Sequence, residues 1–389
     1  GKQKLTKTTS RDDIEDLTQP IIVATIQSLK SRLEDERTKN SLLNYLKNTC
    51  QFLMVDETQA VGTKMWDEVL KQINAPYRVF LSATPKRTDG ATLKIFAYSG
   101  DLAYDTTAAD QIEKGRLCEM NISMLPFDHK LYNENDKNLN YSEFYNENIV
   151  LNDERNNLIV SKAMEFLEEE RQVLVLIQII EHGEILKSKF IERGLSSDDV
   201  QFIYGKTSDK QRRKAIDDFR SNKFKVFIGS TVADAGLNIP SISAVILAGA
   251  GASDIVHVQR IGRGSRNFDY VKNFGYEPKF LKKNKKKITE VIDILDTNVA
   301  FFKKQAKARY NNAIEEFGHD RVHIIGADSS IFRYRKRVKE SLDRDESMQK
   351  TRELFSAFDG MKEKVDSNPK NTAKNKGVQD LLKEWNNFN

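Results

Sequence analysis

Short apolar segments alternate with amphipathic segments along most of this 389-residue chain, and no other feature constrains its fold as strongly. An apolar run of four or five residues predicts a buried strand, and apolar residues spaced three and four apart predict a helix that packs on a sheet. Strands and helices that follow one another in turn are typical of parallel α/β sheets. One such series occupies residues 21–81 and a second occupies residues 155–247. We therefore predict two α/β units in tandem, joined around residues 115–120.

The apolar runs and the helical spacing place the individual elements. Strands are predicted at residues 21–24, 52–55, 78–81, 173–177, 202–204, 225–228 and 244–247. Helices are predicted at residues 64–73, 155–168, 182–193 and 210–220. From about residue 309 the pattern changes to mostly polar helix, and residues 366–377 form a break rich in Pro, Asn and Lys. We interpret residues 309–389 as a helical, partly mobile extension and not as a third core.

Composition narrows the class of protein. The formal net charge is only +5 with 31% charged residues, which predicts a soluble protein with a mixed surface and does not by itself indicate nucleic acid. Two cysteines cannot make a disulfide framework, which fits a reducing compartment. No apolar run reaches about 18 residues, and the N-terminal segment GKQKLTKTTSRDD is polar, so neither a membrane span nor a signal peptide is expected.

Four polar stretches stand at the ends of predicted strands, where open α/β sheets bind their ligands. They are Asp56–Glu57, residues 81–85 (LSATP), residues 229–240 (GSTVADAGLNIP) and residues 259–266 (QRIGRGSR). Taken alone, an Asp-Glu pair is more often a strand that leaves the core and meets water. Taken alone, arginines spaced three apart are more often a basic helix face in solvent. The interpretation changes when the stretches are considered together.

The arginines at positions 260, 263 and 266 are suited to the oxygens of a transferring phosphoryl group, because each guanidinium offers a fork of donors. A carboxylate at Asp56 could hold Mg²⁺, and a carboxylate at Glu57 could polarise a water molecule. Carboxylates on one lobe and arginines on the other predict a site of nucleoside-triphosphate hydrolysis.

In their order, these motifs resemble those of superfamily 2 helicases. DETQ (residues 56–59) resembles motif II, SAT (82–84) motif III, STVADAGLNIP (230–240) motif V and QRIGRGSR (259–266) motif VI. VATIQSL (23–29) resembles the strand-end motif whose Thr and Gln contact nucleic acid. The resemblance covers roughly residues 20–296. The nearest subgroup is the DNA-translocating branch that includes phage branch-migration helicases of the UvsW type.

The resemblance implies a fold and a set of partners. It implies two tandem RecA-like parallel-sheet lobes at residues 1–117 and 118–308, followed by the helical extension at residues 309–389. The implied function is an ATP-dependent nucleic-acid translocase or helicase that acts on forked or branched DNA in repair, recombination or replication. The implied cofactors are ATP and Mg²⁺, and the implied partner is DNA rather than RNA. A monomer in the cytoplasm of a prokaryotic or phage-infected cell is expected, rather than a nuclear protein.

The resemblance also implies roles for single residues. Asp56 would bind Mg²⁺ and Glu57 would be the general base, while Arg263 and Arg266 would reach the γ-phosphate. One of these arginines would act as a finger, which can supply ~10³ to 10⁵ in rate. The remaining residues fall into three implied groups: nucleotide contacts at Gln59, Asn238 and Gln259, coupling residues at Ser82 and Thr84, and contacts to backbone phosphates at Thr25, Gln27, Gly205 and Thr231.

One motif of the family is not found in this sequence. A GxxxxGK[ST] loop is needed because its backbone N–H groups and its Lys cradle the phosphates. Gly205-Lys206-Thr207 is rejected as that loop, since the first glycine would fall at Val200 and the preceding segment SSDDV is acidic. We expect the loop to lie upstream of residue 1, so that the first lobe is N-terminally incomplete. The alternative is a non-catalytic nucleic-acid-binding module that keeps the fold without the loop.

Overall fold

The structure is a computed structural model, and it describes residues 6–8, 17, 19–82, 92–128, 141–230, 239, 242–250, 261–262, 288–297 and 300–326. The chain divides into two compact units. Unit 1 comprises residues 1–104 and 338–389, and unit 2 comprises residues 105–337. In the described part of the chain, no helix is long and apolar enough to cross a membrane.

The described part of unit 1 contains two pairs of parallel strands. Strand β1 (Thr6–Thr8) pairs with β2 (Ile22–Ala24), and β3 (Phe52–Val55) pairs with β4 (Tyr77–Phe80). Its described helices are α1 (Ile26–Glu34), α2 (Glu36–Asn44), α3 (Lys64–Leu70) and α4 (Thr92–Ser99). One apolar cluster joins β3, β4 and the four helices, and its buried members are Leu42, Leu46, Val55, Val61, Val69, Leu70, Ile73, Ala75, Ile95 and Tyr98.

Unit 2 is built on a seven-stranded parallel sheet. Its strands are β5 (Glu119–Phe127), β6 (Val173–Leu176), β7 (Val200–Ile203), β8 (Val226–Gly229), β9 (Ala244–Leu247), β10 (Ile288–Asp296) and β11 (Val322–Ile324). They lie in the order β11-β5-β10-β9-β6-β8-β7. Every residue of β6, β8 and β9 is buried, because both faces of a parallel sheet are covered by helices.

Helices cover the two faces of this sheet in separate groups. The described helices of unit 2 are α5 (Ala108–Glu113), α6 (Tyr141–Tyr145), α7 (Asp153–Glu168), α8 (Ile180–Glu192), α9 (Asp209–Arg220) and α10 (Ala300–Phe317). Apolar residues of α7 and α8 share one cluster with alternate residues of β6, such as Val173 and Val175. Residues of α5, α9 and α10 share the other cluster with Leu174 and Leu176. The alternation of side chains along the strand therefore separates two cores.

The predicted α/β class and the predicted elements are confirmed, with bounds that agree to within three residues. Strand β5 was not predicted, because Asn121, Ser123 and Pro126 interrupt its apolar pattern. It nevertheless pairs along its whole length with β10.

Unit 2 extends beyond residues 118–308, the bounds that the sequence suggested for the second lobe. At its start, the backbone N–H of Ala108 on α5 donates to Glu316 of α10 at 2.8 Å. At its end, β11 pairs with β5 and joins the sheet. A boundary after residue 308 would also divide α10. Residues 327–389 of the predicted extension lie outside the described residues.

Candidate active site

The predicted catalytic carboxylates follow directly on strand β3. Val55 is buried, whereas Asp56 and Glu57 are exposed. Glu57 has a left-handed backbone, with φ +54° and ψ +51°, which residues other than glycine rarely adopt. Elsewhere in the described chain, Glu170 and Asn222 also have a positive φ, but both follow helix ends, where it is usual. Strain at a strand end of this kind is typical of functional sites.

A chain of hydrogen bonds connects Glu57 to the end of β4. The Ser82 hydroxyl donates to Gln59 Oε1 at 2.7 Å, and Gln59 Nε2 donates to Glu57 Oε2 at 2.5 Å. The backbone N–H of Glu57 in turn donates to Asp56 Oδ1 at 2.9 Å. Gln59 can join the two partners because a side-chain amide both accepts and donates, which a carboxylate at this position could not do. The sequence predicted all four residues as functional, and the structure brings them together.

Thr58 fixes the spacing between the two strand ends. Its side chain is buried, and both its backbone N–H and its hydroxyl donate to the carbonyl of Leu81, at 3.0 and 2.6 Å. The N–H of Leu81 donates to the carbonyl of Val55 at 2.8 Å. The polar residues after β3 and β4 are therefore held at one edge of the strand pair.

The exposed carboxylates fit a nucleotide-borne metal ion. Mg²⁺ takes oxygen ligands and is usually bound through one or two carboxylates together with substrate phosphates. The side chain of Asp56 offers such a carboxylate, and Glu57 is oriented next to it by Gln59. The arrangement can hold Mg²⁺ at Asp56 and accept a proton from water at Glu57.

Thr25 and Gln27 lie at the start of helix α1. Thr25 is the N-cap residue, and its hydroxyl oxygen accepts from the backbone N–H of Ser28 at 3.2 Å. Both Thr25 and Gln27 are exposed. A helix N-terminus presents backbone N–H groups and a partial positive charge, and it therefore suits a phosphate. The predicted phosphate contacts of these two residues stay predictions.

Gly205 and Lys206 are the central residues of a tight turn between β7 and α9. The N–H of Thr207 donates to the carbonyl of Tyr204 at 3.0 Å, and the N–H of Tyr204 donates to Thr207 Oγ1 at 3.2 Å. Ser208 then caps α9. Such a turn is too short to cradle phosphates as a GxxxxGK[ST] loop does, which supports the rejection of this segment as that loop. The predicted phosphate contact of Gly205 stays a prediction.

Motifs V and VI begin beyond strands β8 and β9 of unit 2. Ser230, the residue after β8, is buried, and its N–H donates to the carbonyl of Ile203 at 3.2 Å. Within motif VI, Ile261 is fully buried in one of the two cores. The other predicted residues of these motifs, and one of motif III, lie outside the described residues: Thr84, Thr231, Asn238, Gln259, Arg263 and Arg266.

The structure adds a buried ion pair that sequence reasoning missed. Arg155, on the first turn of α7, donates from Nε to Asp296 Oδ1 at 2.9 Å and from Nη1 to the carbonyl of Ala248 at 2.6 Å. Arg155 and Asp296 are almost fully buried. The available signal was Asp293 inside the apolar run of residues 291–295 and Asp296 directly after it, because buried carboxylates need partners.

His182 packs beside this ion pair. Burial, and to a lesser extent the positive charge of Arg155, lowers the pKa of His182 to about 3. Its Nε2 lies 2.8 Å from Asn156 Oδ1, while Asn156 Nδ2 donates to the carbonyl of Val150 at 2.7 Å. The imidazole is therefore neutral at physiological pH and serves the packing of α7 against α8 rather than acid–base chemistry.

Comparison with known proteins identifies relatives of both units. Residues 2–87 match the family model described as the type III restriction enzyme res subunit, and residues 157–268 match the helicase conserved C-terminal domain. A candidate helicase, number 22, of Sulfolobus islandicus filamentous virus is 25% identical over 291 residues, which are 72% of this chain and 48% of the viral protein. The DNA 3'-5' translocase XPB2 of Sulfurisphaera tokodaii is 22% identical over 294 residues, which are 66% of this chain and 62% of the relative.

Solved structures show the same fold. A single-residue variant of Dbp5 of S. cerevisiae, solved with RNA and ADP BeF3, superimposes with a TM-score of 0.52 at 14% identity and covers 83% of this chain and 69% of that one. The likeness is that of two tandem RecA-like lobes with parallel sheets. The chain spans about half the length of the viral relative and about three fifths of the length of XPB2.

Proposed function

Because the chain belongs to superfamily 2 of the helicases, we propose that it is the motor region of an ATP-dependent DNA translocase or helicase that acts on forked or branched DNA. The two lobes would bind and hydrolyse ATP with Mg²⁺ and move along a phosphate backbone as they close and open. Within the superfamily, the proposed subgroup is the DNA-translocating branch that includes the UvsW type.

The hydrogen-bonded chain from Ser82 through Gln59 to Glu57 supports this proposal most directly. A general base must present a carboxylate within reach of the attacking water, and an oriented carboxylate does this better than a free one. Gln59 Nε2 holds Glu57 Oε2 at 2.5 Å, and Asp56 stands next to it for Mg²⁺. A movement of the Glu57 side chain would be transmitted through Gln59 to Ser82, which follows β4. Motif III would thereby sense the nucleotide.

The roles of the other predicted residues complete the proposed site. Gln259, Arg263 and Arg266 would meet the γ-phosphate, and Gln59 would couple the nucleotide to this group. Asn238 would lie near the ribose, and Thr84 would act with Ser82. These assignments rest on the order of the motifs in the sequence.

Nucleic acid would be held through its backbone. Thr25 and Gln27 at the N-terminus of α1, together with Gly205 and Thr231, would contact phosphates, which positions a strand without reading its sequence. The relative XPB2 is named as a DNA translocase, whereas Dbp5 was solved with RNA. Both DNA and RNA must therefore be assayed, and DNA is the nucleic acid that we propose.

The test is steady-state ATP hydrolysis by the full-length gene product, alone and with forked DNA, duplex DNA, single-stranded DNA and single-stranded RNA. We expect turnover that DNA stimulates, with forked DNA above plain duplex. Stimulation by RNA alone would overturn the choice of DNA. No turnover with any nucleic acid, while nucleic acid still binds, would overturn the motor function and leave the non-catalytic binding module.

A further inference from the structure

The three residues that follow strand β9, Ala248–Ala250, are held from two sides. Arg155 donates to the carbonyl of Ala248 at 2.6 Å, and the hydroxyl oxygen of Tyr145 accepts from the N–H of Ala250 at 3.0 Å. Ala248, Ala250 and Arg155 are fully buried, and Tyr145 is nearly so. A short buried segment has thus both a carbonyl and an N–H fixed by side chains of other elements.

Gly249 lies between these two anchors and lets them approach. A Cβ atom at this position would stand 3.0 Å from Gln178 Cγ and 3.4 Å from the Tyr145 hydroxyl. The segment also receives support from β6, since the N–H groups of Ala248 and Gly249 donate to the carbonyl of Leu176 at 2.9 and 3.3 Å. The absence of a side chain at Gly249 is therefore part of the close fit.

A contribution to stability alone does not account well for the Arg155–Asp296 pair. Taking two charges out of water is costly, and apolar residues of similar volume often replace a buried ion pair with no loss of stability. What an apolar replacement cannot do is donate to the carbonyl of Ala248 while Asp296, at the end of β10, holds the guanidinium in place. The pair locks the ends of two neighbouring strands to the first turn of α7.

The chain reaches motif VI nine positions after Ala250, at Gln259. Two residues later, Ile261 is buried in the same apolar cluster as Leu247 of β9. We propose that Arg155 and Tyr145 are positioning residues for the hydrolysis reaction: they fix the end of β9 and, through it, the place from which motif VI departs. This inference rests on the proposed function, because it assumes that motif VI serves ATP hydrolysis.

Unit 2 supplies a matched control for Arg155. Arg309 of α10 donates from Nε to Asp293 Oδ2 at 2.9 Å and from Nη2 to the carbonyl of Ile294 at 2.8 Å. Arg309 and Asp293 are as deeply buried as the first pair, and Asp293 lies on the same strand as Asp296. The two pairs thus match in chemistry and burial, but Arg309 donates to a carbonyl within β10, whereas Arg155 donates to a carbonyl at the end of β9.

The experiment compares Arg155→Met/Asp296→Leu with Arg309→Met/Asp293→Leu in the full-length protein. We expect both variants to unfold cooperatively near the wild-type temperature. Only the first should lose kcat for nucleic-acid-stimulated ATP hydrolysis, by about tenfold or more, with a smaller change in KM for ATP. Equal loss in both variants, or unchanged kcat in the first, would overturn the inference.

Tyr145→Phe removes a single hydroxyl and is therefore expected to fold. It tests the inference even if the first double variant does not fold. The loss of one hydrogen bond should lower kcat roughly threefold to tenfold. It should also speed hydrogen exchange at the N–H of Ala250, with exchange in Val173–Leu176 unchanged. Unchanged kcat and exchange would contradict the inference. A wild-type protein that hydrolyses no ATP would overturn the proposed function, whereas active wild type and unaffected variants would overturn this inference alone.

Discussion

The hydroxyl of Ser82 donates a 2.7 Å hydrogen bond to the side-chain oxygen of Gln59, although 23 positions separate the two residues. The same Gln59 amide donates to the carboxylate of Glu57. The ends of β3 and β4 are thus linked through one side chain, and the position of Glu57, the proposed base, depends on Ser82, which follows the next strand.

Ser82→Ala removes the donor that orients the Gln59 amide. The Glu57 carboxylate should then be less well held, and kcat for ATP hydrolysis should fall roughly threefold to tenfold, the equivalent of one hydrogen bond. Ser82→Thr, which keeps a hydroxyl, should retain more of the activity. Steady-state kinetics with saturating DNA measures both, and equal rates for the wild type and Ser82→Ala would show that the link has no part in turnover.

Glu57→Gln removes the carboxylate that is proposed to accept the proton of water. General-base catalysis typically contributes roughly 10²- to 10⁴-fold, so kcat should fall by about that factor while nucleic-acid binding stays at the wild-type level. Glu36→Gln, which changes another exposed glutamate of unit 1, is the control and should leave both unchanged. Hydrolysis rates and DNA titrations give the answer. Wild-type turnover by Glu57→Gln would remove this residue from the role of base.

Because His182 is buried in its neutral form, the free energy of unfolding should fall at acid pH. Its pKa in the folded protein, about 3, lies below the ordinary value of 6.5, so the unfolded chain binds the proton first as the pH falls. The contribution of neutral His182 to the free energy of unfolding is fully present above pH 6.5. It is lost as the pH falls toward 3, at about 1.4 kcal/mol for each pH unit. Urea unfolding from about pH 7 to about pH 5 should therefore show a steeper fall in the free energy of unfolding for the wild type than for His182→Gln. Parallel curves would contradict a buried, neutral histidine.

At Gly183, helix α8 packs closely against side chains of the sheet of unit 2. A Cβ atom there would lie 2.5 Å from Phe202 Cζ and 2.7 Å from Ile177 Cδ1, closer than packed atoms allow. Gly183→Ala should therefore destabilise the protein by about 1–3 kcal/mol, despite the higher helix propensity of alanine. Ser188→Ala, at an exposed position of the same helix, should be neutral or slightly stabilising. A rise in the midpoint of thermal unfolding for Gly183→Ala would show that the neighbouring side chains move aside at little cost.

The family, and the place of Asp56 and Glu57 directly after a strand, could be predicted from the sequence, because both depend on local information. Apolar runs and helical spacing follow from how each short segment meets its core, and they located β2–β4, β6–β9, α3 and α7–α9 to within three residues, whereas helices α1, α2 and α4–α6 were not predicted. Strand β5 was not predicted because its polar residues interrupt the pattern of apolar side chains. The contact between Glu57, Gln59 and Ser82 could not be derived, since it depends on β3 and β4 lying side by side in register.

By itself the sequence determined the α/β class, the position of about half of the described strands and helices, and the order of the motifs, because these are properties of consecutive residues. Only the tertiary structure decided that α10 and β11 complete unit 2 and that Arg155 meets Asp296 across 141 positions. Such contacts depend on the order of strands in the sheet, which no local pattern of hydrophobicity specifies. A buried charge shows that a partner is needed, and the fold alone selects which residue that partner is.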